Sequence, residues 1–414
     1  MKQHSLIAIL LSVVLISALF GGCSFGGNRD DSVESTKAQP PSEAVSSEYT
    51  KNNYGFQSLT TDFERDFYEQ FGTYVRKDEP ETFKIDYYED VDRLVAIAQM
   101  YCYDHPEVFW VDDEKTLSFV TDSATFLEVT IGFRISGSEL QRAKEALESA
   151  VQAAVAEVST EANDFEKERY LNDYLVDTVT YDKTAAASPA IALGNEHNAY
   201  GALVEKKCVC DGYATAFMLL AERVGLDSSI VFGVSSENAE NEYHAWNCVK
   251  VEGEWYYLDV TWNDGSDETV PAIGRYLNFN ITTEQAMRDR TLLPLQNEAD
   301  DSEETHLNNY FVPECTATEY NYFEYNCDVL TTEGEYEVLE DGIATAVQNE
   351  AQYYYFKVSE SLDFQTTYDT LMAGDLANVI KTVNDSGTGA QLDYNTYVYS
   401  DDVNRVLIVE LSYQ

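Results

Sequence analysis

The sequence predicts an α+β protein, with helices and antiparallel strands in separate stretches rather than in strict alternation. Three observations predict it. Apolar residues recur at helical spacing in 90–103, 138–158 and 165–179. Short runs of alternating or wholly apolar character at 109–111, 117–120 and 126–133 read as strands. Two alternating runs, 242–251 and 254–262, flank Glu252-Gly253 and read as a β-hairpin.

The elements follow from the N-terminus onward. Lys2 precedes an apolar run over 6–20 that is broken only by Ser12 and Ser17, and Gly21-Gly22 leads directly to Cys23. That run is too short to cross a bilayer and reads as a signal peptide over 1–23. The ending Leu19-Phe20-Gly21-Gly22-Cys23 resembles the lipobox of bacterial lipoproteins, with Phe20 where an aliphatic residue is more usual. The resemblance implies cleavage before Cys23, its lipidation, and a membrane anchor at the bacterial cell surface. Residues 24–52 are rich in Ser, Gly, Pro, Glu and Gln and read as a flexible tether.

An N-terminal α+β segment is expected over 53–160, without a catalytic motif of its own; His105, between Asp104 and Pro106, reads as a turn residue. A core over 161–310 contains the chemistry, with a small-residue loop at 185–194 and an acidic loop at 297–305. The tail, 311–414, has strand-like runs at 353–358, 397–400 and 406–411 and helical ones at 343–351 and 368–383. It is expected to form a small α/β domain.

Composition narrows the function. With 414 residues, 44% hydrophobic and 13% aromatic, the chain can build more than one core. A formal net charge of -48 repels nucleic acid and anionic head groups, so no nucleic-acid partner is expected. The acidic residues are spread along the chain, which suits an exported protein's surface better than one basic ligand. Setting Cys23 aside, six cysteines remain, at 102, 208, 210, 248, 315 and 327. Export invites disulfides, and two pairings stay open: Cys315 with Cys327, or Cys208 with Cys248.

The densest chemistry lies in 200–263. The run Cys210-Asp211-Gly212-Tyr213-Ala214 opens a stretch in which Ala216, Phe217, Leu220, Ala221 and Val224 share a helical face, and Gly225 ends it. Cys210 is thus expected at a helix start, where unpaired N–H groups and the partial positive charge favour a thiolate. Gly212 would leave room for a substrate or partner backbone to come close. In the hairpin, Val251 opposes Glu254, His244 faces Thr261 and Trp246 faces Asp259. His244 and Asp259 are then diagonal neighbours on one face, within reach of an imidazole–carboxylate hydrogen bond. Such a pair is what a cysteine nucleophile needs: the imidazole moves the proton and the carboxylate orients it. Taken singly, each of the three residues has a blander reading as core, strand or turn; the constellation is what carries weight.

The runs Cys210-Asp-Gly-Tyr-Ala, His244-Ala-Trp-Asn and Gly253-Glu-Trp-Tyr-Tyr-Leu-Asp259-Val-Thr-Trp resemble, in order, the signature blocks of the bacterial transglutaminase-like superfamily. The resemblance covers roughly 165–290. It implies a papain-like α+β core, with Cys210 on a helix, His244 and Asp259 on an antiparallel sheet, and these three residues as the catalytic triad. Cys208 follows two lysines but lies outside the helix start and is expected to be structural or redox-related. The backbone N–H of Cys210 is a natural oxyanion donor, and Tyr200 is the side-chain candidate for the same role. Trp246, Trp255 and Trp262 read as core and wall.

No metal-ligand spacing and no phosphate-cradling glycine loop is present, so neither a metal nor a cofactor is expected. The expected function is extracytoplasmic, thiol-dependent acyl transfer on amide bonds of peptides, proteins or peptidoglycan peptides. A cysteine protease or amidase is favoured over a cross-linking transglutaminase, because water is abundant and cross-linking needs an amine site. A non-catalytic surface binding module is the third reading.

Overall fold

The computed structural model describes residues 53–112, 116–120, 125–187, 194–235, 242–265, 272–295, 309–387 and 389–414. The leader, Cys23, the tether, much of the 185–194 stretch and the acidic loop at 297–305 lie outside the described residues. The chain divides into two compact units that interleave along the sequence. The first takes residues up to 157, 178–232 and 293–312; the second takes 158–177, 233–292 and 313–414.

In the first unit, the helix Asp62–Val75 opens on a reciprocal capping box between Thr61 and Glu64, and buries Phe67, Tyr68, Phe71 and Val75. These side chains face the helix Val91–Asp104, which buries Leu94, Val95, Ile97, Ala98 and Tyr101. A three-stranded antiparallel sheet runs in the order Thr82–Asp86, Phe126–Ile131, Leu117–Val120. The expected strand at 109–111 is absent: Val111 makes one isolated bridge to Phe133, and Trp110 is held by its ring N–H donating to the Val75 carbonyl at 3.0 Å. Its apolar character reflects burial rather than pairing. The helix Gly137–Val155 buries Leu140, Ala143, Leu147, Val151 and Ala154, one stripe at helical spacing, and packs on the helix Cys210–Val224.

In the second unit, a five-stranded sheet runs in the order Arg290–Leu292, Asp227–Ser235, Glu242–Val251, Glu254–Leu258, Phe279–Ile281. The chain passes from the first unit to the second within Asp227–Ser235, and its last residues pair antiparallel with Arg290–Leu292. The helix Asp164–Thr178 buries Phe165, Glu168, Leu171, Asn172 and Leu175.

The tail has its own sheet, ordered Asp328–Leu330, Tyr353–Val358, Val406–Glu410, Val398–Asp401, with one parallel pair. The helices Glu337–Gln348 and Leu376–Ser386 cover it through Leu339, Ile343, Val379 and Ile380. The helix expected over 368–383 is broken into Phe364–Thr370 and Leu376–Ser386, because Gly374 adopts a φ of 146° that only glycine takes readily.

Candidate active site

Cys210 is the first residue of the helix Cys210–Val224, as its sequence position predicts. Residues Gly212–Ala221 are all buried, and Gly225 closes the helix at a φ of 81°. Val209 precedes it in extended conformation and offers no side-chain cap to the first turn. The start is fixed instead by the turn Asn195–His197. The Glu196 carbonyl accepts from the Val209 N–H at 2.9 Å, and His197 Nδ1 lies 2.8 Å from Asp211 Oδ2. Neither contact has a motif to announce it in the sequence.

The expectation for Gly212 is corrected. A Cβ there would sit 2.5 Å from the Cys208 Cβ and 2.6 Å from the Glu196 carbonyl oxygen. The space Gly212 leaves is filled by the Cys208 side chain and the Glu196 carbonyl, not left for a substrate. Cys208 is fully buried in the short strand Lys207–Cys208, whereas Cys210 is half-buried. The six described cysteines are thiols, so neither of the open disulfide pairings is formed. Tyr200 stacks its ring on Phe109 with centroids 4.6 Å apart.

In the second unit the hairpin has the expected register, from Val251 opposite Glu254 to Asn247 opposite Leu258. Its loop residues Glu252 and Gly253 have φ of 50° and 99°, as a tight two-residue hairpin turn requires. The second strand, however, ends at Leu258 instead of running to 262. Asp259 caps the short helix Val260–Asn263, its Oδ1 accepting from the Trp262 N–H at 3.0 Å. The side chain still meets His244: Nε2 lies 2.6 Å from Asp259 Oδ2. An ionised carboxylate can only accept, so Nε2–H donates.

Arg290, which sequence reasoning missed, completes this cluster. Its Nη2 donates to the same Asp259 Oδ2 at 2.8 Å and to Asn278 Oδ1 at 2.9 Å, while Nη1 donates to Asp289 at 2.6 Å. His244, Asp259 and Arg290 are 8%, 1% and 3% exposed, so their interactions are little screened by solvent. Burial pushes the Asp259 carboxyl up, but the charges and hydrogen bonds of His244 and Arg290 prevail and hold it at about 2. Trp262 and Trp246 form the wall, with ring centroids 5.1 Å and 5.7 Å from that of His244. Among the described residues no group of three or more His, Cys, Asp and Glu is arranged to hold a metal.

Residues 152–260 match the family model of the transglutaminase-like superfamily. The chain carries a transglutaminase-like domain. Cys210, His244 and Asp259 fall inside the matched range of this α+β domain and Arg290 falls outside it. The transglutaminase-like fold typically serves cysteine-dependent enzymes. Among curated proteins, the chain is similar to kyphoscoliosis peptidase of Homo sapiens, 29% identical over 158 residues, which is 35% of this chain and 22% of the relative. The Mus musculus protein of the same name is 28% identical over 155 residues, or 34% and 22% of the two chains. The chain thus spans about a fifth of the length of these curated relatives. Similar solved structures include a TGase at 15% identity and TM-score 0.26, covering 44% of this chain and 52% of that one. Another is the periplasmic domain of TgpA from Pseudomonas aeruginosa, at 15% identity and TM-score 0.19, covering 37% and 63%. Overlaps of that extent carry no argument about this chain.

Proposed function

We propose that the transglutaminase-like domain is a thiol-dependent acyl-transfer enzyme acting outside the membrane on amide bonds, with water as acceptor: a cysteine peptidase or amidase. The observation that carries this reading is the buried His244–Asp259 pair at 2.6 Å, with a carboxyl held at about 2 and so ionised wherever an enzyme works. A half-buried cysteine opening a buried helix supplies the matching nucleophile. The likeness to two proteins named as peptidases points the same way.

In the proposed mechanism Cys210 gives its proton to His244 Nδ1 and its sulfur attacks the amide carbonyl. The C–N bond breaks, the amine leaves with the proton returned by His244, and a thioester remains. Water then attacks the thioester, His244 takes its proton, and the acid departs as the thiol re-forms. The Cys210 N–H and Tyr200 are the proposed oxyanion donors. Peptides, proteins and peptidoglycan peptides are the proposed substrates, the last on the grounds of location alone.

An activity-based thiol probe should label the wild type and fail, by at least about 100-fold in rate, on His244→Ala. Equal labelling would instead favour an idle binding module. Supplying a Gln-containing peptide with a labelled amine tests the acceptor: incorporation of the amine would replace hydrolysis by cross-linking. The proposed location rests on Cys23. Mass spectrometry of the protein from a bacterial host should find a diacylglyceryl Cys23 at the N-terminus, and Cys23→Ala should be released from the membrane. An unmodified, uncleaved N-terminus would end the lipoprotein reading.

A further inference from the structure

Asp259 Oδ2 serves two donors that want opposite things from it. A carboxylate beside an imidazole stabilises the imidazolium, so at neutral pH less of the histidine is free to take a proton. A buried cation on the same oxygen opposes that, by drawing on the same negative charge and by repelling a second positive one. Arg290 is that cation, 2.8 Å from Oδ2 where His244 is 2.6 Å away.

We propose that Arg290 is a positioning residue for the His244–Asp259 pair: its guanidinium fixes the carboxylate, and its charge keeps His244 neutral to a lower pH than Asp259 alone would allow. The proposal rests on the thiol-enzyme reading above. Three further features support it. The planar fork engages Asp259, Asn278 and Asp289 at once, which a lysine's point charge cannot do. The guanidinium carbon lies 3.5 Å from the centre of the Trp262 ring, the same ring that flanks His244, so the guanidinium and the imidazole are registered on one indole. Arg290 Nε, buried and without a hydrogen-bond partner among the described residues, shows that the guanidinium is placed for Asp259 at some cost to its own satisfaction. Among the described residues, the charged groups bonded to one another here are His244 from the hairpin, Asp259 at its end, Arg290 from the edge strand and Asp289 on the far side of Arg290. Asp289 balances part of the Arg290 charge but sits on the other terminal nitrogen.

The test is the rate of Cys210 alkylation by iodoacetamide across pH in the full-length protein, read on the Cys210 peptide by mass spectrometry. A cysteine coupled to a histidine gives two inflections that belong to the pair, and the upper one, the imidazolium inflection, marks loss of the ion pair's remaining proton. Arg290→Gln should move the imidazolium inflection up by about one pH unit, a tenfold change in that equilibrium. Arg290→Lys should leave the inflection within about half a unit of wild type. It should also slow labelling by an activity-based probe about tenfold, because charge without the fork no longer aligns the pair. An inflection that stays or falls in Arg290→Gln overturns the proposal. Should Arg290→Gln fail to fold, the lysine variant decides: a full-unit shift, or probe labelling at the wild-type rate, overturns it as well. A wild-type profile with a single free-thiol inflection would instead bring down the enzyme reading, and the Arg290 role with it.

Discussion

Asp259→Asn is expected to slow probe labelling or turnover by on the order of 10³–10⁴-fold while leaving Cys210 in place. The reason is a count of donors. Among the described residues the Asp259 carboxylate receives three, from the Trp262 N–H on Oδ1 and from His244 and Arg290 on Oδ2. An asparagine has one oxygen and one NH₂ group. With its oxygen toward His244 and Arg290, its NH₂ faces the Trp262 N–H; turned round, the NH₂ faces the imidazole N–H and the guanidinium. Either way a buried donor loses its acceptor, and in the second orientation the imidazole loses its orienting hydrogen bond. Stability should suffer too, because among the described residues Arg290 keeps only Asp289 as a charge partner; a loss of about 3 kcal/mol at neutral pH is expected in urea unfolding. The pH dependence carries a signature. The folded carboxyl titrates at about 2 and the unfolded one at about 3.9, so this stabilisation is present above the unfolded value and fades as pH falls through the folded one. The acid slope should therefore be shallower in Asp259→Asn by roughly 2–3 kcal/mol overall. A folded variant that labels within about threefold of wild type would remove Asp259 from the mechanism.

What the sequence reveals and what it hides at this cluster divide by the range of the interaction. The hairpin register is a local matter: alternation on both sides of Glu252-Gly253 fixes which residues oppose one another as far as Asn247 and Leu258, and Asp259, the next residue, still meets His244. The end of the second strand is misread because Val260, Thr261 and Trp262 all favour strands, while the deciding event is Asp259 turning back to cap the next four residues. Gly212 is misread because what approaches it comes from residues 196 and 208, which spacing does not bring together. Arg290 is illegible for the same reason in stronger form. It sits 31 residues beyond Asp259 in no motif, and only the sheet order places its strand near the carboxylate. The helix Val91–Asp104, by contrast, carries its own signal in the helical spacing of Leu94, Val95, Ala98 and Tyr101.

A second carboxyl should bend the stability curve from the other side. Glu168 is fully buried on the helix Asp164–Thr178; its Oε2 accepts from Asn280 Nδ2 at 2.7 Å, and Oε1 has no partner among the described residues. Asn280 Oδ1 is likewise unsatisfied, so two buried acceptors lack a donor in one small polar cluster. Protonating Glu168 supplies one. Burial, reinforced by the charge of Asp164 and only partly offset by the Asn280 hydrogen bond, pushes this carboxyl well above the usual range. The sign is opposite to that of Asp259. A carboxyl whose folded value is raised stabilises the fold fully below its unfolded value, about 4.3, and loses that contribution as pH rises through the folded value. Glu168→Gln keeps an oxygen for Asn280 Nδ2, adds a donor, and does not titrate. Its unfolding free energy should therefore fall less than wild type between mildly acidic and mildly alkaline pH, so that the variant gains on wild type as pH rises. Urea unfolding of both proteins across that range reads the effect directly, and parallel curves would mean that Glu168 is already ionised and satisfied in the folded chain. If both slopes are found, the pH of greatest stability is set between two buried carboxyls of the same unit: Asp259, which must stay charged beside His244 and Arg290, and Glu168, which must stay neutral.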